Sequence, residues 1–331
     1  MGFVYKSSNF GPNRACLKIS KPNFMLKTGC LHFIICFVVF SSCTVQRANR
    51  IVYETPAANV PNLTKKGDAK VTGYFSLNGV EDGIGEYNPQ QASISSTGYD
   101  VQAAFAITDN WTVLGGYSQK YLTQVYKYDS TLYRPNYSPP GSVTPSFFNG
   151  FDSSVIKYHT SVFQLGAGYN LPLNHRKTIT FSWYAGFDFG KLTMNDAGLD
   201  SARKAYTRYY SVKTVKPWLQ AAFNFGNSTK PVSLSIGGRL SILSYNSPTT
   251  NYSYDEFNYF YLNKLNTQSF LLLEPWINAQ AMLPGVKWLR LDGQICLSNN
   301  FGVRTPKTST INGSIGLTAN LANFLGRSKK Q

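Results

Sequence analysis

Ten stretches of this chain alternate apolar and polar residues with a period of two, and on seven of them the apolar parity carries no charge. A period of two sends successive side chains to opposite faces of a strand. The stretches lie near 69–78, 97–108, 111–127, 157–170, 178–194, 206–225, 231–245, 268–283, 287–300 and 309–321. One face reads Phe181, Trp183, Ala185, Phe187, Phe189 in the fifth and Val232, Leu234, Ile236, Gly238, Leu240, Ile242 in the seventh. The opposite parity holds Lys70, Asp100, Lys120, Asp188, Arg239, Glu274, Arg290 and Asp292, joined by Gln102, Gln164, Asn224, Asn278, Gln280, Gln294, Asn312 and Asn320. No amphipathic helix of useful length interrupts them.

Two architectures satisfy such a pattern. In a soluble sandwich the apolar faces meet in a core and the polar faces meet water. In a membrane barrel the apolar face meets lipid and the polar face lines a lumen. Three features favour the barrel. Connections alternate in length: those near 109–110, 171–177, 226–230 and 284–286 are short, and the intervening ones are long. The polar face is poor in lysine for a solvated surface. Trp111, Tyr169, Phe223, Phe225 and Trp288 cluster near the short-turn ends, where an interfacial girdle belongs. Charged residues make up only 15% of the chain, against ~25% for soluble domains. The expected fold is an all-β, antiparallel, up-and-down transmembrane β-barrel of about ten strands, with short periplasmic turns and long outer loops. Four acids and four bases facing a narrow lumen are expected to pair and largely plug it. Pro217 and Pro275 each remove a ladder donor inside a strand, so a bulge is expected at each.

The apolar run over 30–40 is too short to span a bilayer as a helix and suits the core of a secretory signal. Met25-Leu26-Lys27 opens that signal, so residues 1–24 read as an upstream extension, 25–42 as signal peptide, 43–68 as anchor and tether, 69–325 as barrel, and 326–331 as a basic tail. Phe40-Ser41-Ser42-Cys43 resembles the lipobox of bacterial lipoproteins, which implies acylation of Cys43. With Gly98-Tyr99-Asp100-Val101-Gln102-Ala103-Ala104-Phe105-Ala106-Ile107-Thr108-Asp109-Asn110-Trp111, the chain resembles small outer-membrane β-barrel lipoproteins of Bacteroidota-type bacteria. That resemblance implies a barrel in the outer membrane, lipid-anchored through Cys43. Thr44-Val45-Gln46-Arg47 lacks the acidic surface-export signal of some such lipoproteins, which implies an anchor on the periplasmic side. The chain ends on Arg327-Ser328-Lys329-Lys330-Gln331, leaving Phe324 as the nearest aromatic to serve as an insertion signal.

Little here suggests catalysis. Beyond Cys43 the chain holds His159, His175 and Cys296, with no His, Cys or carboxylate pair at metal-ligand spacing. No cofactor and no metal are expected. His159 shares parity with Phe163 and Leu165 and is expected to face lipid or headgroup; a membrane hydrolase using it is the least favoured alternative. The net charge is +16, of which five basic residues precede Cys43. For an exported basic chain nucleic acid is a poor explanation, and two readings stand side by side: attraction to membrane lipid and lipopolysaccharide phosphate, or a solvated basic surface. The Tyr- and Asn-rich loops at 133–140 and 251–261 suit a glycan or protein ligand, or simple packing on the barrel mouth. The role expected is structural or interactive at the cell envelope, with a small channel or a soluble periplasmic β lipoprotein as alternatives.

Overall fold

The computed structural model describes residues 50–63, 65–81, 90–128, 151–200, 203–226, 230–301, 307–308 and 311–321. Cys43, the signal and extension ahead of it, the loop at 133–140, Phe324 and the basic tail lie outside the described residues. The strands are β1 (Ile51–Tyr53), β2 (Ala69–Glu81), β3 (Gln90–Ala106), β4 (Trp111–Tyr128), β5 (Phe151–Pro172), β6 (Ile179–Asp200), β7 (Ala205–Phe225), β8 (Val232–Thr250), β9 (Phe270–Leu283), β10 (Val286–Leu297), β11 (Asn299–Phe301), β12 (Lys307–Thr308) and β13 (Ile311–Asn320).

Each long strand pairs antiparallel with its sequence neighbour from β2 to β10, and β13 bonds to both β10 and β2, which closes the sheet. β10 and β11 form one crossing, interrupted at Ser298, and both pair with β9. The result is a closed ten-stranded barrel, as the alternation predicts. Closure leaves the outer face without a second sheet. Phe105, Phe163, Leu165, Phe187, Leu219 and Ile277 stand exposed on it, while all sixteen polar positions of the opposite parity are buried. This inversion of a soluble fold's burial excludes the sandwich.

The lipid-facing band runs from Ile179 to Phe189 on β6, from Val215 to Phe225 on β7 and from Val232 to Ile242 on β8. At ~3.3 Å per residue and a ~40° tilt, such a run rises about 25 Å, the height of an outer-membrane belt. Its short-turn border carries Trp111 packed on Tyr169 and Trp183, with ring centroids 5.6 and 6.2 Å apart. The tight turns use ordinary devices. Asn174 accepts from the Thr178 N–H at 2.8 Å, and Gly285 (φ +78°) supplies the left-handed residue between β9 and β10.

The prolines behave differently from expectation. The β9 ladder to β10 and β11 is missing at Pro275, and the β7–β8 ladder is missing between Val215 and Trp218 around Pro217. The register is the same on either side of each gap, so the missing donor is absorbed by a break in the ladder, not by an extra residue. Gly237 makes room for a neighbour: a Cβ there would lie 2.5 Å from the Trp276 ring. Gly186 does the same for Trp218, at 2.4 Å.

The candidate functional site, a threaded lumen

The stretch ahead of β2, which reads from sequence as part of a tether, occupies the barrel interior. From Arg50 to Pro61 every residue is buried, as is Leu63. Leu63 packs with Ala104, Leu114, Tyr184 and Trp218, and the Asn62 side-chain amide donates to the Gly226 carbonyl (2.9 Å) in a short turn. Arg50, at the other end, donates to Asp196 (2.7 Å) and lies 3.8 Å from the Phe260 ring centroid in the long connection between β8 and β9. The segment therefore runs the length of the lumen, from the long-loop mouth to the short-turn end, where β2 begins.

A peptide inside a barrel must satisfy its own N–H and C=O groups without a sheet of its own. The inward amides of the wall do this. Gln294 donates to the Ala58 carbonyl (3.1 Å) and accepts from the Ala58 N–H (2.6 Å), imitating a strand partner. Gln102 donates to the Ala57 carbonyl (2.6 Å), Gln220 to the Asn59 carbonyl (2.8 Å), and Asn312 to the Thr55 carbonyl. Near the outer end, the Tyr245 hydroxyl donates to the Val52 carbonyl (3.0 Å) and β1 pairs with β12.

The eight charges read from the sequence are all buried in the lumen, and several pair with one another or with a further cation. Lys120 meets Asp100 at 2.7 Å. Arg239 lies 4.0 Å from Asp188. Glu274 and Asp188 share a cation outside the sequence-derived set, Lys216, at 3.3 and 3.1 Å. The threaded segment joins this cluster through Tyr53, whose hydroxyl donates to Glu274 and accepts from Lys216, both at 2.5 Å. Lys70 donates to the Val60 carbonyl (2.6 Å), and Arg290 donates to the Ser233 hydroxyl (3.1 Å) and the Lys230 carbonyl (2.6 Å). Asp292 accepts from Gln280 and Thr318, each at 2.7 Å. The expected filling of paired charges is thus joined by a second one, the threaded segment, to which Lys70, Asp100 and Glu274 also bond. A charge taken out of water needs such partners, because desolvating an ion costs several kcal/mol.

Asp196 escapes the sequence pattern, because 195–205 reads as loop. It collects Arg50, Ser154 (2.6 Å) and Tyr252 (2.8 Å) on its two oxygens. The connection bearing Tyr252 folds over the mouth. Ser253 caps the helix Tyr254–Tyr259 in a reciprocal box with Glu256, and Leu262 and Leu265 are fully buried beneath it. Burial opposes the Glu256 charge, but hydrogen bonds from Arg208 and the Ser253 backbone outweigh it and hold this carboxyl below its ordinary range. In this loop Tyr252 and Phe260 pack inward, while Tyr254 is 79% exposed.

His159 faces outward, half-buried, with its ring stacked on Tyr121 at 4.8 Å and its Nε2 2.6 Å from the Gln119 amide. His175 is exposed in a short turn. Among the described residues no group of three His, Cys, Asp or Glu is placed to hold a metal ion.

A closed antiparallel barrel with an apolar exterior and a polar, filled interior is the fold of an outer-membrane β-barrel protein. No family model and no curated protein sequence matches the chain. Among solved structures, the translocator domain of the autotransporter NalP from Neisseria meningitidis is similar over 89% of this chain and 95% of that one, at 10% identity and a TM-score of 0.46. OprG from Pseudomonas aeruginosa is similar over 79% and 99%, at 12% identity and 0.32. Ail of Yersinia pestis, the attachment invasion locus protein, is similar over 77% and 97%, at 11% identity and 0.25. At such values the likeness is one of barrel architecture and assigns no role.

Proposed function

We propose that this protein is a lipid-anchored outer-membrane barrel with a structural or surface-interaction role, not a channel and not an enzyme. The observation that carries the reading is the threaded segment: from Arg50 to Pro61 the lumen is occupied by chain whose carbonyls are taken up by the wall. A solute path would have to displace that segment and strip its partners. Lipopolysaccharide is the proposed lipid partner. Lys191 and Lys213 face each other directly across β6 and β7, both exposed, just beyond Phe189 and Val215 at the long-loop border of the apolar belt. Like charges directly opposed on a sheet repel, and phosphate at the headgroup level would relieve the repulsion. A glycan or protein ligand would meet the outer surface at the loop that carries Tyr254. Acylation at Cys43 rests on the lipobox alone.

Planar-bilayer recording of the purified full-length protein tests the reading. It predicts no steady unit currents. Reproducible unit currents that change on Glu274→Ala would overturn it in favour of the channel.

A further inference from the structure

The inward amides of the wall fall into two sets. Those away from the threaded segment bond within the wall: Gln164 donates to Asp188 (3.0 Å), Gln280 to Asp292 (2.7 Å) and Asn170 to Thr112 (2.9 Å). Those along the segment turn to its main chain. With Tyr245 and Lys70 they make six buried donors, each from a different strand. Tyr245, Asn312, Gln102, Gln294, Gln220 and Lys70 meet the carbonyls of Val52, Thr55, Ala57, Ala58, Asn59 and Val60. Gln220 is itself held by Arg239, which donates to its oxygen at 2.9 and 3.2 Å. The segment's own side chains contribute less here. Over 55–60 the Thr55 hydroxyl has no hydrogen-bond partner, Asn59 reaches wall carbonyls at 3.2 and 3.3 Å, and the rest are apolar. We propose that the lumen is a binding site for an extended polypeptide, which this protein's own residues 50–63 occupy in cis.

Two side chains set the register. Arg50 is buried on Asp196 (2.7 Å), its guanidinium 3.8 Å from the Phe260 ring centroid. Tyr53, three residues on, bonds to Glu274 and Lys216. An ion or a hydroxyl taken out of water needs partners of this kind. The ligand read by this wall is therefore an extended chain with arginine and tyrosine three residues apart, followed by a stretch recognised through its main chain. Main-chain recognition tolerates sequence, because every residue offers the same carbonyl. A small solute would have to replace six separate acceptors, whereas a second polypeptide replaces the segment bond for bond. The covalent link to β2 gives the resident segment a high effective concentration, so the site stays closed to another chain while that link is intact. The link is open to attack: Lys65, Lys66 and Gly67 are exposed.

The test uses the full chain with a site for a sequence-specific protease inserted between Lys66 and Gly67. After cleavage both pieces are unfolded together in urea and refolded into detergent with an excess of fluorescent peptide. Label per folded barrel is read after size exclusion, with heat-modifiable gel migration as the check of folding. The peptide 50–63 is expected to enter the barrel in proportion to its excess over the cleaved fragment. Thr55→Val in the peptide should change its apparent affinity by less than about threefold, since that hydroxyl is unpartnered. An ester in place of the Ala57–Ala58 peptide bond deletes the N–H bonded to Gln294 and weakens the carbonyl bonded to Gln102. It should weaken binding about tenfold, and Arg50→Ala about a hundredfold. Refolded barrels that carry no label overturn the proposal, as does an ester peptide that binds like its parent or a Thr55→Val peptide that loses as much as the ester. A chain that refolds intact but not when cleaved, with peptide or without, also overturns it, because the segment would then act only as part of its own chain. Should the intact chain not refold, the folded, cleaved protein is held with the peptide at rising urea up to unfolding. Uptake of label supports the proposal, and release of the fragment without uptake at any urea concentration overturns it.

Discussion

The barrel has two storeys, and they are built on opposite rules. In the lower storey, from the short turns up to about Phe189 on β6, apolar side chains point out and polar ones point in. In the upper storey the sense reverses. Ile156 and Tyr158 on β5, Leu192 and Met194 on β6, Tyr210 and Val212 on β7, and Leu243 and Tyr245 on β8 point inward and form one buried cluster. Lys157, Asn195, Lys213 and Asn246 point outward on the same strands and are exposed. On β6 the pairing to β5 and β7 continues without a register shift through the reversal. The strand has not changed; its surroundings have. Below, hydrocarbon receives the apolar face. Above, water does not, and the same hydrophobic effect turns that face inward. The threaded segment obeys both rules: Ile51, Val52 and Tyr53 enter the upper apolar cluster, while Thr55, Ala57, Ala58 and Asn59 present their carbonyls to side-chain amides below and Val60 presents its own to Lys70.

The reversal explains what can and cannot be read from the sequence. The lower storey is legible because its apolar parity is long and uncharged, as in Phe181 to Phe189. On β6 the alternation reads as ending near 194, short of Asp200, because the apolar parity switches between Phe189 and Leu192 and a fixed-phase pattern takes the switch for an ending. Asp196 is lost with it. Lys216 lies on the inward parity and is found by extending the face test to β7. The threaded segment resists reading because it has no period of its own: its order comes from wall side chains distant in sequence. Ile51-Val52-Tyr53 is the available signal, since a solvated tether has no use for three β-forming residues in a row.

The contrast between storeys can be broken in several ways. The largest effect is expected from Asp196→Ala, which leaves the Arg50 guanidinium buried without its acid. A loss of about 3–5 kcal/mol is expected in urea unfolding in detergent, with new tryptic cleavage at Arg50 as a local readout. Phe270→Ala opens the upper cluster, where this ring meets Tyr245 edge-on at 5.7 Å, and should cost a similar ~3–5 kcal/mol. Unchanged stability would show that the upper storey is not a packed core. Arginine on the outward face separates the storeys directly. Leu219→Arg, in the belt, should cost about 2–4 kcal/mol, whereas Asn195→Arg, outward above it, should stay within about 0.5 kcal/mol. Equal costs would erase the boundary drawn at Lys191 and Lys213. Gly186→Ala places a methyl against the Trp218 ring and should lose about 1–3 kcal/mol by the same unfolding assay.

The smallest effect concerns the lid. Ser253→Ala removes the helix cap and should cost about 1 kcal/mol, read as faster hydrogen exchange confined to 254–265. Because the Glu256 carboxyl is held below its ordinary value, its contribution to the lid is complete above that value and disappears as pH falls through the depressed one. Lid exchange that already accelerates at mildly acidic pH, well above the ordinary carboxylate range, would contradict this.

Hydrogen exchange at the Ala58 amide, in the folded, detergent-solubilised protein, tests the threaded lumen most directly. This N–H lies inside the barrel, bonded to Gln294, and is predicted to exchange far more slowly than in a free peptide, in company with the amides of β10 and β13. Exchange of Ala58 at the free-peptide rate, while those strands stay protected, would mean that the lumen is not threaded.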